Sequence, residues 1–194
     1  MITDIIKVLI VEDDPFWQKR LSADLDMEAD IHVVGVAGSR SEALELAETN
    51  DFDVVLMDIQ LTTARLDGLD TTRDMMVAKG GKLKIIMLTS LDDQDVIVKS
   101  FQNGAVNYIT KSSYSDIVQA IRDAYHSIPT LHADSIPAVM KEMKLSLLTP
   151  VEKEVYLLKE RGMSKPEIAG RLHKSVNTIK TQLRTIKNKL LKLP

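Results

Sequence analysis

The chain has 194 residues, 44% of them apolar and 27% charged, a globular composition at a length that admits one large domain or two small ones. Having no cysteine, it has no disulfide framework, thiolate zinc site or thiol nucleophile, and it suits a reducing compartment. The net charge of -3 conceals an acidic stretch over residues 1–126, with 12 Lys and Arg against 22 Asp and Glu, and a basic one over 147–194, with 11 against 4. Such a division suggests an acidic module joined to one suited to a polyanion.

The opening Met1-Ile-Thr-Asp-Ile-Ile-Lys7 lacks a basic segment ahead of an apolar one, so no secretory signal is expected. Charges interrupt every apolar run short of the ~20 residues of a membrane helix. A soluble, cytoplasmic protein is therefore the expectation, with no membrane partner. Five short apolar runs rich in β-branched residues follow, at Ile6–Val11, His32–Val36, Asp53–Met57, Leu83–Leu88 and Val106–Ile109. Continuous runs of this kind suit strands buried on both faces of a parallel sheet. Helical patterns alternate with them. Asp14-Pro15 places a cap before a proline at the first helical position, and Ser39-Arg-Ser-Glu42 reads as a capping box. Helices over Asp67 to Lys79, Asp93 to Asn103 and Ser113–Tyr125 complete the alternation, Gly104 stopping the second of these. The pattern predicts a five-stranded, doubly wound α/β domain with right-handed crossovers. Residues 127–146, with Pro129 and Pro137, read as a linker holding a short helix over Ala138–Lys144.

Chemistry in such sheets collects beyond the carboxyl ends of the strands. That rule selects Glu12, Asp13 and Asp14, then Asp58, then Thr89-Ser90, then Lys111. Singly, each has a local explanation: Asp14 caps a helix, Thr89 makes a turn, Lys111 is a solvated charge. Together they put a carboxylate cluster, a hydroxyl and an ammonium on one rim. Converging carboxylates repel unless a cation sits among them, and a hard divalent ion such as Mg²⁺ fits oxygen donors. An Asp beside it can accept a phosphoryl group, with Lys and Thr binding the phosphoryl oxygens.

The ordered set Val8-Leu-Ile-Val-Glu-Asp-Asp-Pro15, Val54-Val-Leu-Met-Asp58, Ile85-Ile-Met-Leu-Thr-Ser90 and Gly104-Ala-Val-Asn-Tyr-Ile-Thr-Lys111 resembles the receiver domain of bacterial response regulators, over residues 1–126. The resemblance implies a flavodoxin-like fold and Asp58 as phosphoacceptor from a sensor histidine kinase. It also implies Mg²⁺ on Asp13, Asp58 and the backbone carbonyl of Gln60, with Glu12 acting through water. Lys111 would contact the phosphoryl group, Thr89 would swing toward it, and Tyr108 would follow inward; without the resemblance, Tyr108 reads as an ordinary half-buried aromatic. Two departures stand out. Ser112 follows Lys111 where many receivers have proline, and the loop between Asp58 and Gly68 lacks the usual proline and looks about two residues longer, which bears on kinase recognition or phosphate lifetime.

Residues 147–194 open with a capping box at Thr149-Pro-Val-Glu152, followed by another at Ser164-Lys-Pro-Glu167. A third helix runs from Val176 to about Leu191 behind a Ser175 cap, with Ile179, Leu183, Ile186 and Leu190 on its apolar face. A short His173-Lys174 turn suggests helix-turn-helix; spacing alone also allows a plain three-helix bundle with a basic surface. Leu148-Thr-Pro-Val-Glu-Lys-Glu-Val155, Gly162-Met-Ser-Lys-Pro-Glu-Ile-Ala169 and Thr178-Ile-Lys-Thr-Gln-Leu183 resemble the LuxR-type DNA-binding domain, making the chain similar to response regulators of the NarL/FixJ type. That resemblance implies promoter DNA as partner, with Lys180, Thr181 and Arg184 toward the major groove. Lys174, Ser175, Thr178 and Lys187 would lie on phosphates, and Gln182 stands where a histidine is common. It also implies a homodimer in the phosphorylated or DNA-bound state and a non-enzymatic role. The family's usual further helix is not evident before Leu193-Pro194. Two rival readings remain at this point. One is a phosphorylation-independent regulator whose receiver binds protein. The other is a metal-dependent phosphatase working through an aspartyl phosphate, disfavoured because Gln60 rather than a carboxylate follows Asp58 by two residues.

Overall fold

The computed structural model describes residues 4–62 and 66–191. Two compact units meet between Ala138 and Val139. In the first, five strands, β1 (Ile6–Val11), β2 (Ile31–Ala37), β3 (Val54–Met57), β4 (Lys84–Thr89) and β5 (Asn107–Thr110), form one parallel sheet in the order β2-β1-β3-β4-β5. Between them run α1 (Pro15–Leu25), α2 (Arg40–Thr49), α3 (Asp67–Ala78) and α4 (Gln94–Gln102), and α5 (Ile117–Tyr125) follows the last strand.

Strand alternation sorts the apolar side chains onto two faces. Leu9, Val11, Val55, Met57, Ile85 and Met87 pack with Ala43 and Ala47 of α2, Met75 of α3 and Ile97 of α4. Val8, Ile10, Val54, Leu56, Ile86 and Leu88 pack with Leu21 and Leu25 of α1 and Ile117 and Ile121 of α5. Both faces being covered, the central strand β3 is apolar and buried along its whole length, and its neighbours β1 and β4 are nearly so. Each such side chain withdrawn from water contributes about 1.5–3 kcal/mol. Register pairs Val11 with Met57, so β1 and β3 end together, while Met57 pairs with Met87 and Thr89 with Thr110, so β4 and β5 run two residues further. Glu12, Asp58, Ser90 and Lys111 thereby emerge on one rim.

The helix starts follow local chemistry. Asp14 accepts from the Phe16 N–H ahead of Pro15, and Asp93 accepts from the N–H groups of Asp95 and Val96. The Ser39 box forms only in part: Ser39 accepts from Glu42 N–H, while the Glu42 carboxylate takes the N–H of Gly38 at 2.7 Å. The expected helix from Ser113 begins instead as a 3₁₀ segment over Lys111–Asp116, with Ser113 at φ -95°, ψ 34°. Hydroxyls compete with the helix there, Thr110 Oγ1 lying 2.7 Å from Ser112 Oγ.

The stretch beginning at residue 127 differs from a free linker. Residues 128–135 form a strap along the outer edge of β5, where His132 N–H donates to Asn107 Oδ1 at 3.0 Å and Thr110 N–H donates to Asp134 Oδ2 at 2.8 Å. An open strand edge presents unpaired backbone groups, and the strap covers them. Helix α6 (Ile136–Ser146) is longer at both ends than the expected Ala138–Lys144, and Ala138 is 1% exposed within the first unit's core. The extended loop after Asp58 includes residues 63–65, which lie outside the described residues, as do Leu193 and Pro194.

The second unit holds α7 (Pro150–Glu160), α8 (Lys165–Arg171) and α9 (Val176–Leu190). Thr149 with Glu152 and Ser164 with Glu167 form complete capping boxes. Leu148, Val155, Leu158, Ile168, Ala169, Ile179 and Ile186 make its small core. Lys189 of α9 closes it by donating to Glu152 at 2.6 Å.

Candidate functional site

The rim chemistry predicted above is assembled around one ammonium. Lys111 Nζ lies 2.6 Å from Glu12 Oε2 and 3.0 Å from Asp58 Oδ2. The other Asp58 oxygen accepts from the Ile59 N–H at 2.6 Å, with the Gln60 nitrogen 3.4 Å away. Ligand atoms of Glu12, Asp13 and Asp58 all lie within 4.8 Å of one another, Asp13 being the exposed member. Three carboxylates so close form a hard oxygen donor set of the kind that holds Mg²⁺. Burial pushes the Glu12 carboxyl up to about 7; Lys111 opposes the rise and Asp58 adds to it. Burial lowers the Lys111 pKa, but its contacts with Glu12 and Asp58 outweigh this and hold the ammonium above its ordinary value. The cluster thus attracts a cation, and any anion that enters meets Lys111.

Thr89 is 1% exposed, and its hydroxyl accepts from the Leu91 N–H at 3.4 Å. Tyr108 is fully buried, and its hydroxyl donates to the Leu91 carbonyl at 2.5 Å. Burial raises its phenol pKa, nearby carboxylates adding to the effect. Leu91 therefore joins Thr89 and Tyr108 through its two backbone groups. Tyr108 is not the half-buried aromatic that its local sequence suggests.

Two neighbours escaped the sequence reading. Lys111 Nζ sits 5.1 Å from the ring centre of Trp17, which contacts Tyr114 at 5.7 Å. Its signal was a lone tryptophan in the helix turn after the acidic loop. Gly68 is the other: a Cβ there would stand 1.9 Å from the Asp58 carbonyl oxygen. Its N–H donates to the Ile59 carbonyl at 2.9 Å, pinning α3 against the acceptor loop.

In the second unit, Lys180, Thr181, Arg184 and Lys187 are exposed on α9, opposite the face of Ile179 and Ile186. Their spacing of one, three and three residues keeps them on one side of the helix. Ser175 and Thr178 are exposed at its start, where Ser175 Oγ accepts from the Thr178 N–H at 3.0 Å. Lys174 is half-buried in the turn, next to His173 at φ 51°. Gln182 departs from the exposed set, its amide oxygen buried and without a partner among the described residues. An N-terminal helix face rich in Lys, Arg and Thr is suited to a duplex groove.

Residues 8–122 match the response regulator receiver domain family, and residues 142–190 match sigma-70 region 4. The chain belongs to the response regulators: a receiver domain joined to a helix-turn-helix DNA-binding domain. These are transcriptional regulators, not turnover enzymes. It is 32% identical over 191 residues to the response regulator protein VraR of Staphylococcus saprophyticus, covering 95% of this chain and 90% of that one. Identity is also 32% over 194 residues with the transcriptional regulatory protein LiaR of Bacillus subtilis, at the same coverage. The RcsB response regulator of Salmonella typhimurium shares the fold, with a TM-score of 0.64 at 20% identity over 98% of this chain and 94% of that one. Among the described residues no helix is long and apolar enough to cross a membrane.

Proposed function

We propose that the protein is a cytoplasmic transcription regulator switched by phosphorylation of Asp58 from a sensor histidine kinase. An Asp58 carboxylate oxygen attacks phosphorus as the phosphorus–nitrogen bond of a phosphohistidine breaks. The histidine nitrogen keeps the electron pair and takes a proton. Lys111 neutralises the arriving phosphoryl oxygens, and Thr89 turns its hydroxyl toward them. Tyr108, sharing Leu91 with Thr89, carries the change to the surface. Asp13, Asp58 and the Gln60 backbone carbonyl would hold Mg²⁺, with Glu12 acting through water, and the ion would supply positive charge to offset the crowded anions. The observation that carries this reading is the single ammonium of Lys111 bridging Glu12 at 2.6 Å and Asp58 at 3.0 Å, on the rim that also bears Asp13.

The second unit then binds promoter DNA. Lys180, Thr181 and Arg184 read base edges in the major groove, while Lys174, Ser175, Thr178 and Lys187 hold phosphates. Paired half-sites call for a homodimer of the phosphorylated or DNA-bound chain. Incubation with a small-molecule phosphodonor and Mg²⁺ tests the acceptor: intact mass should rise by one phosphoryl group in the wild type. Asp58→Ala, or the wild type with chelator, should show no rise. Equal labelling of the wild type and Asp58→Ala refutes the assignment.

A further inference from the structure

The turn that carries Lys111 is held from outside the rim. Asp134, in the strap, accepts at Oδ2 from the Thr110 N–H at 2.8 Å and from the Thr110 hydroxyl at 2.9 Å. Its Oδ1 accepts from the Ser113 hydroxyl at 3.3 Å. These two residues flank Lys111, one immediately before it and one two places after. Asp134 is itself held: its N–H donates to His132 Nδ1 at 3.2 Å, and His132 Nε2 lies 2.9 Å from Asp116 Oδ2. The turn has little stiffness of its own. Ser112 and Ser113 offer their hydroxyls to competing partners, and the 3₁₀ segment has no side-chain cap. Thr110 N–H points outward from the edge strand, so Asp134 is its acceptor where no strand supplies one.

We propose that Asp134 is a positioning residue for the phosphorylation site: by clamping Thr110 and Ser113 it sets the direction in which Lys111 reaches Asp58. The proposal rests on the reading of Asp58 as phosphoacceptor. Coupling between two events is reciprocal. Whatever Asp134 contributes to the affinity of the site for a bound phosphoryl group, an occupied site returns to the docking of the strap through Lys111 and Thr110. The strap leads directly into α6, in which the first unit ends at Ala138, so its docking lies on the covalent route out of the receiver.

The test uses the full chain. Initial rates of phosphoryl uptake from acetyl phosphate with Mg²⁺ are compared for the wild type, Asp134→Ala and Asp134→Asn. A displaced Lys111 should lower the maximal rate of Asp134→Ala about tenfold. Asp134→Asn, which keeps a carbonyl acceptor for Thr110, should recover most of it. A second measurement needs no variant: amide exchange at Thr110 and across the strap in the wild type, with and without beryllofluoride and Mg²⁺. Protection there should change on binding, and beryllofluoride affinity, titrated for the wild type and Asp134→Ala, should differ by the same factor. Wild-type rates in Asp134→Ala, or exchange unaltered by beryllofluoride, overturn the proposal even if the melting temperature falls. A wild type that takes up no phosphoryl group defeats the Asp58 assignment and this proposal with it.

Discussion

Gly68 shows how little tolerance the acceptor loop has. Most glycines are chosen for backbone freedom, but here the missing side chain is the point. A Cβ would fall 1.9 Å from the Asp58 carbonyl oxygen and 2.7 Å from the Ile59 Cα, both rigid backbone atoms. Gly104 makes an instructive contrast, since the nearest atoms to its Cβ would be those of the flexible Met76 side chain, from 2.9 Å, and its constraint is instead a φ of 103°. Gly68→Ala must therefore push α3 and the Asp58 segment apart. Overpacking of this kind costs about 1–3 kcal/mol. We expect a loss of that size in unfolding free energy, measured by denaturant titration, together with slower phosphoryl uptake, because Asp58 itself is displaced. An unchanged uptake rate would show that the loop relaxes away from the acceptor instead. The importance of this residue was not visible in the chain, because Asp58 and Gly68 are brought together by the return of α3 rather than by local spacing.

Helix starts were the most legible elements, and for a physical reason: a cap is a bond between residues two or three apart. Asp14, Thr149, Ser164 and Ser175 all cap where their sequence context predicts, and Asp93, expected as the first residue of its helix, turns out to cap it. The 3₁₀ turn was illegible because local hydroxyl bonds override the helical pattern from Ser113, and the strap because its bonds span 24 residues from Thr110 to Asp134. Likewise, Trp17 meets Lys111 only once the sheet has formed. The caps also have a pH signature. The Lys189 ammonium, followed by the Thr149 N–H, holds the Glu152 carboxyl below its ordinary 4.5. A depressed carboxyl stabilises the fold above its unfolded value, and the contribution is lost as pH falls through the lower folded value. Helical signal from the second unit should thus decline below pH 4.5, and Glu152→Gln should shallow that decline when followed by circular dichroism. In the last turn of α8, a Cβ at Gly170 would meet open space, with nothing within 4 Å beyond its own helix backbone and chain neighbours. Gly170→Ala should raise stability by about 0.5–1 kcal/mol, measured by thermal unfolding, through lower unfolded-chain entropy and better helix propensity.

Across the chain, the division of charge assigns the two halves different electrostatic tasks. The first 126 residues carry 22 acidic against 12 basic side chains, and the last 48 carry 4 against 11. On the proposed function, the acidic half would draw a divalent cation to its rim, and the basic half would face a polyanion that the other half repels. The exposed cations proposed as DNA contacts on α9 then fall into two groups with different consequences. A cation on a phosphate releases counterions whatever the sequence, so its loss weakens all DNA and flattens the salt dependence. A cation on a base edge discriminates, so its loss is felt on the preferred site alone. Lys187→Ala should reduce the slope of log affinity against log salt by about one unit on every duplex. Lys180→Ala should cost about 1–3 kcal/mol on the preferred site and relax selectivity at one base pair. Fluorescence anisotropy over a salt series, on a specific and a scrambled duplex, separates the two. Identical behaviour of the variants would mean that both lysines serve the backbone, leaving Arg184 and Thr181 to read the bases.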